Sequence, residues 1–110
     1  MSTPTYPWSK LVQDIQDLRP AVRMKWSGDN EASSWNPWLI MPVDGMLETG
    51  QIGPVLFREV EWVEIDSHQM NEGGRLVPTD QSDKLVRALR AASIDYVKTD
   101  AVFCITANAR

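Results

Sequence analysis

The stretch that decides the fold is residues 55–65, which read VLFREVEWVEI. Apolar and charged residues alternate over most of this stretch, and such alternation indicates a strand. The apolar residues nevertheless divide between two faces, Leu56, Val60 and Trp62 on one and Phe57, Val63 and Ile65 on the other. A β-bulge near Arg58 or Glu59 would reconcile the two faces. We therefore expect one long strand here, with an irregularity in its first half.

Two amphipathic patterns predict helices before and after this strand. The first has its apolar residues at helical spacing and ends near Leu18 ahead of Pro20; these residues are Trp8, Leu11, Val12, Ile15 and Leu18. The second starts from a cap at Thr79 or Asp80 and runs to about Ala92; its apolar stripe is Leu85, Val86, Leu89 and Ala92. Each helix thus has one face to bury against a sheet.

Shorter strands are expected around these elements. Residues 21–26 alternate as a half-buried strand, and residues 94–97 and 101–107 suit a terminal hairpin. The prolines within residues 35–42 allow only a short or edge strand there. Residues 43–54 and 66–78 contain the turn-forming residues that are typical of irregular structure and surface loops.

The order of elements is helix, strands, loop, helix, strands. Because helices do not alternate regularly with strands, we predict an α+β fold, with an antiparallel or mixed sheet of about four to five strands and two helices packed on one face. A chain of 110 residues has the usual size of one domain. Residues 1–110 are therefore expected to form a single globular domain.

The charge balance disfavours two classes of partner. The formal net charge is −4 and the sequence pI is about 4.8, and the acidic excess lies between Asp44 and Glu72. Such a chain is repelled by nucleic-acid phosphates and by anionic lipid surfaces, so neither is expected as a partner. No apolar stretch is long enough to cross a bilayer and no secretory leader is visible, which makes the cytoplasm the expected location. Cys104 is the single cysteine and is expected to be a small core residue.

Two stretches carry a resemblance. Glu61 to Ile65 forms Glu-Trp-x-Glu-Ile in the central strand, and a closing helix–strand block follows at Leu85 to Leu89, Ile94 to Tyr96 and Val102 to Thr106. An early Trp-x-x-Leu pattern, Trp8 to Leu11, accompanies them in the first helix. Together they resemble a group of small bacterial α+β proteins of uncharacterised function. The resemblance implies a bacterial origin and an α+β domain, and it transfers no active site.

Four carboxylates lie along the central strand or at its end: Glu59, Glu61, Glu64 and Asp66. Paired carboxylates can catalyse glycoside hydrolysis or bind a divalent cation. Alternation instead places Glu59 and Glu61 on one face and the other two on the opposite face. Charges also protect a sheet edge from aggregation, and the same residues would suit docking of a basic partner. We interpret the four as a solvated edge and as the candidate partner-binding residues.

Two tryptophans, Trp35 and Trp38, flank Asn36 and Pro37 in a stretch that looks like a loop. Aromatic residues in loops can stack on sugars, bases or proline-rich peptides, so both are candidate ligand-binding residues. The alternative is that Trp35 and Trp38 anchor the loop by packing. The chain has five tryptophans, and the other three, Trp8, Trp26 and Trp62, are expected to pack at core-facing positions.

His68 is the single histidine, and Asp66 and Glu72 lie close to it in sequence. The three could form a metal-assisted or acid–base site, although the spacing matches no established ligand pattern. A solvated surface position is the alternative. The sequence has no glycine-rich phosphate loop followed by a helix and no serine nucleophile elbow, and we expect no cofactor and no structural metal.

The leading hypothesis is a non-enzymatic protein that acts through protein contact, with a homodimer through a sheet edge or the tryptophan–proline segment as one form. A sharper version is an immunity-type inhibitor whose acidic segment occupies the basic active site of a toxin. The two alternatives are a ligand- or peptide-binding module that uses Trp35 and Trp38, and a metal-assisted enzyme that uses Asp66, His68 and Glu72.

Overall fold

The computed structural model describes residues 5–37, 39–40, 45–49, 52–71 and 73–107. In chain order the elements are α1 (Thr5–Asp14), a 3₁₀ turn (Gln16–Leu18), β1 (Pro20–Trp26), β2 (Leu39–Ile40), β3 (Met46–Thr49), β4 (Val55–Leu56), a second 3₁₀ turn (Phe57–Glu59), β5 (Val60–Met70), β6 (Leu76–Asp80), α2 (Ser82–Ala91), β7 (Val97–Thr99) and β8 (Val102–Thr106). Helices and antiparallel strands are mixed along the chain, as an α+β fold requires.

Strand β5 lies in the middle of the main sheet, whose order is β1-β5-β8-β7 with every pair antiparallel. The fifth strand, β6, pairs with the C-terminal end of β5, where His68 faces Asp80 and Met70 faces Leu76. Strands β2, β3 and β4 form a second, small antiparallel sheet. The five-stranded antiparallel sheet is confirmed, and the small sheet is an addition that the sequence did not predict.

One face of the main sheet is buried. Val22, Met24, Val63, Ile65 and Ile105 are at most 1% exposed, and all five belong to the core. The same core contains the apolar stripes of both helices and residues from the small sheet; these are Trp8, Leu11 and Val12 from α1, Ile15 directly after it, Leu85, Ala88 and Leu89 from α2, and Leu39 and Leu47 from the small sheet. Both helices and the small sheet therefore contribute to one core with this face.

Three expectations for the middle of the chain are wrong. Residues 55–65 do not form one strand, because a 3₁₀ turn at Phe57–Glu59 separates β4 from β5 at the place where a bulge was predicted. Residues 66–78 are not a loop, because β5 continues to Met70 and β6 begins at Leu76. Between these strands Gly74 adopts a φ of 81°, and the Asn71 side chain accepts a hydrogen bond from the Arg75 main chain. Residues 43–54 contain β3, so they are not irregular throughout.

The sequence patterns predicted the helices well. α1 ends at Asp14 and the 3₁₀ turn that follows ends at Leu18, where Arg19 takes a left-handed φ of 45° before Pro20. α2 begins beside Asp80, whose side chain accepts a hydrogen bond from the Ser82 main chain at 2.9 Å. Within the described part of the chain, neither helix has the length and apolar character needed to cross a membrane.

Replacing Ile65 with alanine should test the importance of β5 to the core. The side chain is 0% exposed, so the variant should lose about 2–5 kcal/mol of unfolding free energy. Val97 is 67% exposed, and Val97→Ala is the matched control with an expected change of about 0.5 kcal/mol or less. Urea unfolding at neutral pH measures both changes. Equal losses in the two variants would contradict the assignment of the buried face.

Candidate functional site

The side of the main sheet opposite the core is not covered by any helix or strand of the described residues. We call it the uncovered face; its side chains are those of Arg23, Lys25, Trp62, Glu64, Cys104 and Thr106, each half-buried or exposed. Cross-strand pairing sets Arg23, Glu64, Cys104 and Val97 in one row across four strands. The alternation that buries Met24 and Val63 therefore directs charged and aromatic residues to this side.

Two ion pairs join β1 to β5 on this side. Arg23 Nε lies 2.6 Å from Glu64 Oε1, and Lys25 Nζ lies 2.7 Å from Glu61 Oε1. A register shift between Lys25 and Trp26 makes Glu61 the extra residue of β5, which places it within reach of Lys25. All four side chains are partly exposed, so each pair adds about 1 kcal/mol or less to stability. The ion pairs also neutralise the charges of Glu61 and Glu64, two of the four carboxylates that were predicted to bind a partner.

Trp35 lies against this ion-pair network. The Arg23 guanidinium carbon is 4.6 Å from the centroid of the Trp35 ring, within the range of a cation–π contact. The loop that carries Trp35 is held to β1, because Val22 and Asn36 exchange two main-chain hydrogen bonds. Trp35 is therefore a fixed part of the uncovered face. Trp38, the second predicted ligand-binding residue, lies outside the described residues.

The structure separates the four predicted partner-binding carboxylates. Glu61 and Glu64 are in the ion pairs described above, Glu59 is exposed in the second 3₁₀ turn, and Asp66 is buried. Their strand is central in the sheet, so the interpretation of a protective sheet edge is wrong. The expectation that Trp62 faces the core is also wrong, since it pairs with Lys25 on the uncovered face.

A second irregularity in β5 brings Asp66 and His68 together. Val22 pairs with Ile65 and Pro20 with Gln69, so three residues of β5 oppose Ala21 alone. Within this bulge, Asp66 Oδ1 accepts a hydrogen bond from the His68 main-chain N–H at 2.9 Å and lies 2.8 Å from His68 Nδ1. Two of the three predicted metal-site or acid–base residues therefore do meet. The third, Glu72, lies outside the described residues.

The bulge is a junction of four elements. The Ser67 main chain donates to the Ala101 carbonyl at 2.8 Å and accepts from the Gln81 N–H at 2.9 Å, which connects β5 to the β7–β8 turn and to the start of α2. The Ser67 hydroxyl is fully buried and has no hydrogen bond at ordinary distance among the described residues. His68 is a half-buried residue of a strand, not the solvated loop residue considered above.

The chemistry of the bulge is limited. A carboxylate on Nδ1 orients an imidazole, as it does behind many metal-binding and general-base histidines. However, no group of three or more His, Cys, Asp or Glu side chains within the described ranges is arranged to hold a metal ion. The hydrogen bond from the His68 main chain to Asp66 and the contact of Asp66 with the His68 ring hold the two residues of the bulge together.

Asp80 faces His68 across β5 and β6. It lies one residue before Gln81, the N-cap position of α2, and accepts a hydrogen bond from the first main-chain N–H of the helix, a contact that we call the Asp80 cap. Hydrogen bonds from the Ser82 hydroxyl and main-chain N–H lower the pKa of Asp80, and the nearby His68 and Ser67 side chains add to this effect while a small desolvation opposes it. The carboxylate thus interacts more favourably with its surroundings in the folded protein than in the unfolded chain.

Asp80→Ala should lower the melting temperature at neutral pH, because the cap of α2 is lost. Since folding lowers the pKa of Asp80, its stabilisation is present above the unfolded value of 3.8 and is lost as pH falls through the folded value. The difference from wild type should be largest near about pH 6 and shrink toward about pH 2.5. Asp83→Ala, in the first turn of α2, is the control. A difference that does not change with pH would contradict the cap.

Cys104 lies on the uncovered face beside Glu64 and is only half-buried, so its expected position in the core is wrong. Burial raises the pKa of the Cys104 thiol, Glu64 raises it further and Arg23 opposes the change. The thiol is therefore largely protonated at neutral pH.

Alkylation of Cys104 should report this electrostatic environment. We expect iodoacetamide to react more slowly with the folded protein than with the unfolded chain at neutral pH, because the thiolate is the reactive form. Glu64→Gln should speed the reaction and Arg23→Gln should slow it, while Glu59→Gln should leave it unchanged. Equal rates for the Glu64 and Arg23 variants would refute the assigned causes.

Sequence reasoning missed Arg23 and Lys25 as members of the site. The signal was available, because alternation in residues 21–26 places both cations on the face opposite Val22 and Met24. What could not be read from the sequence was that this strand is the neighbour of β5.

Comparison with known proteins gives one result. No curated protein and no solved structure matches the chain. A family model matches residues 5–110, which is nearly the whole sequence, and its description is a family of unknown function, DUF6678. The chain belongs to the DUF6678 family.

Proposed function

We propose that the chain is a binding protein whose uncovered face packs against a protein partner. The observation that carries the proposal is the cluster of Trp35, Arg23 and Glu64, in which a guanidinium is held between an indole ring and a carboxylate on a sheet face that no described element covers. Tryptophan and arginine are the residues most enriched among the energetic centres of protein interfaces. Because their side chains are already fixed, little conformational entropy is lost on binding.

The charges of the face favour protein over nucleic acid. Arg23 and Lys25 are each paired with a glutamate, so the face has both signs of charge and no surplus of cations. Nucleic-acid binding depends on unpaired Lys and Arg side chains, and the chain as a whole has a net charge of −4. A protein surface with both signs of charge is the complementary partner.

Two forms of this proposal differ in the partner. In the first, a second copy of the chain covers the face, since paired opposite charges can be self-complementary across a two-fold axis. In the second, the chain is an acidic inhibitor of a basic partner such as a toxin. Glu59 supports this form because it is exposed and has no ion pair within the described residues, whereas Glu61 and Glu64 already have cationic partners. The proposed setting is the cytoplasm, where a single free cysteine stays reduced.

A charge swap tests the face while preserving its internal pair. Arg23→Glu combined with Glu64→Arg should keep the ion pair and the fold but reverse the charges that a partner meets. We expect affinity for the partner, or for a second copy, to fall at least about tenfold, a loss of roughly 1.4 kcal/mol. Sedimentation measures self-association, and calorimetry measures binding to a partner encoded beside this chain.

Two measurements control this experiment. Leu76→Ala alters an exposed residue of β6 outside the uncovered face and should bind as wild type does. Alkylation of Cys104 should slow when the complex forms, because the thiol lies on the face. Undiminished affinity of the charge swap, together with unprotected Cys104 in the complex, would show that the partner binds elsewhere. Charge reversal at Glu59 alone should weaken binding to a basic partner but leave self-association unchanged, and this difference separates the acidic-inhibitor form from the dimer.

A further inference from the structure

The hydrogen-bond register shows which edge of the sheet each residue of β8 uses. Ala107 N–H donates to the Glu61 carbonyl at 2.9 Å, and Ser67 N–H donates to the Ala101 carbonyl at 2.8 Å. Both bonds follow the register in which β5 pairs with β8. Main-chain groups alternate between the two edges of an antiparallel strand, so Val102, Cys104 and Thr106 direct theirs away from β5.

Strand β7 uses only part of this outer edge. Val102 pairs with Thr99 and Cys104 pairs with Val97, which is the first residue of β7. Asp95 is the next residue in the same register and would oppose Thr106. No hydrogen bond joins the two, and within the described part of the chain no main-chain group bonds to the outer N–H and C=O of Thr106.

The chain departs from β8 here because it is tied to the end of α2. Ser93 N–H donates to the Arg90 carbonyl at 3.0 Å, and Ile94 N–H donates to the Leu89 carbonyl at 2.9 Å. Ser93 itself adopts a left-handed φ of 58°. These contacts end the helix and keep residues 93–96 apart from residues 104–107.

A cavity of about 460 Å³ lies between the two segments. Trp8, Ile94, Tyr96 and Ala107 give it apolar and aromatic walls, and Thr106 lies at its side. Two of these walls are braced, because the Trp8 ring packs at 5.4 Å from the Phe57 ring and the Tyr96 ring at 5.3 Å from the Phe103 ring. The cavity therefore does not depend on freely rotating side chains.

We propose that this groove, between residues 93–96 and 104–107, binds a short extended peptide of another protein. The peptide adds as a strand beside Thr106, pairs with its outer N–H and C=O, and places an apolar side chain in the cavity. Strand addition of this kind takes its affinity from main-chain hydrogen bonds and its selectivity from side-chain pockets. The groove lies apart from the Trp35–Arg23–Glu64 cluster of the proposed interface, although Cys104 and Thr106 belong to both the groove and the uncovered face.

The charge of the groove selects the peptide's flanking residues. Asp95 borders the cavity and is exposed, and the chain has a net charge of −4. Arg90 borders a second cavity that shares Ser93–Tyr96 with this groove, but it is not among the residues that line the groove. A lysine or arginine beside the apolar residue is therefore the favoured neighbour.

Binding is tested with acetylated and amidated pentapeptides of sequence Lys-Ser-X-Ser-Lys, where X is Val, Leu, Met, Phe, Tyr or Trp. Amide resonances of the ¹⁵N-labelled protein are followed during titration. We expect saturable shifts at Thr106 and Tyr96 for at least one peptide, and slower hydrogen exchange of the Thr106 amide in the complex. No saturable shift with any of the peptides would overturn the proposal.

Thr106→Pro is the decisive variant, because proline removes the outer N–H without removing a hydrogen bond to β5. Affinity should fall about tenfold, as expected for one lost main-chain hydrogen bond, whereas Leu76→Ala, on β6 outside the groove, should bind as wild type does. If Thr106→Pro does not fold, the same loss must follow N-methylation of the peptide residues. Affinity that is indifferent to both changes would show that no strand is added.

Discussion

β5 must satisfy main-chain hydrogen bonds on both of its edges while its side chains alternate between a buried and an uncovered face. β1 pairs with one edge, and β8 and then β6 pair with the other. A strand held in this way cannot slip by one residue without exposing Val63 and Ile65 and burying Glu64. The position of every charged group on the uncovered face follows from this constraint.

Two irregularities in β5 adapt this strand to its neighbours. The one at Glu61 gives Lys25 an anionic partner, and the one at Asp66–His68 places polar groups where α2, β6 and the β7–β8 turn converge. A regular strand would not direct the Glu61 carboxylate toward Lys25. Nor would it direct the main chain at Asp66–His68 toward α2 and the β7–β8 turn. The charged and polar residues at these two irregularities thus pair with a neighbouring strand or hold a junction together. The composition of the uncovered face is the one that the proposed protein contact requires.

Much of the fold could be predicted because its signals are local. Amphipathic spacing identified both helices, Thr79 or Asp80 was expected at the start of α2, and alternation identified β1 and β8, whereas β7 begins at Val97 and not at Ile94. The small sheet and the end of β5 were missed, since turn-forming residues near Gly45 and Gly74 obscure short strand segments that pair with the next strand of the chain. For the site, Glu61, Glu64 and Trp35 were chosen from composition, but their partners Arg23 and Lys25 depend on which strands are neighbours.

Hydrogen exchange along β5 tests the central claim most directly. If both edges are bonded, the amides of consecutive residues from Trp62 to Ile65 must all exchange slowly, at rates set by global unfolding. Measurement of individual amide exchange rates by ¹⁵N–¹H spectroscopy at neutral pH gives this pattern residue by residue. Slow exchange throughout is the result that the account predicts. Protection of every second amide only would show that one edge of β5 is free and would contradict the account.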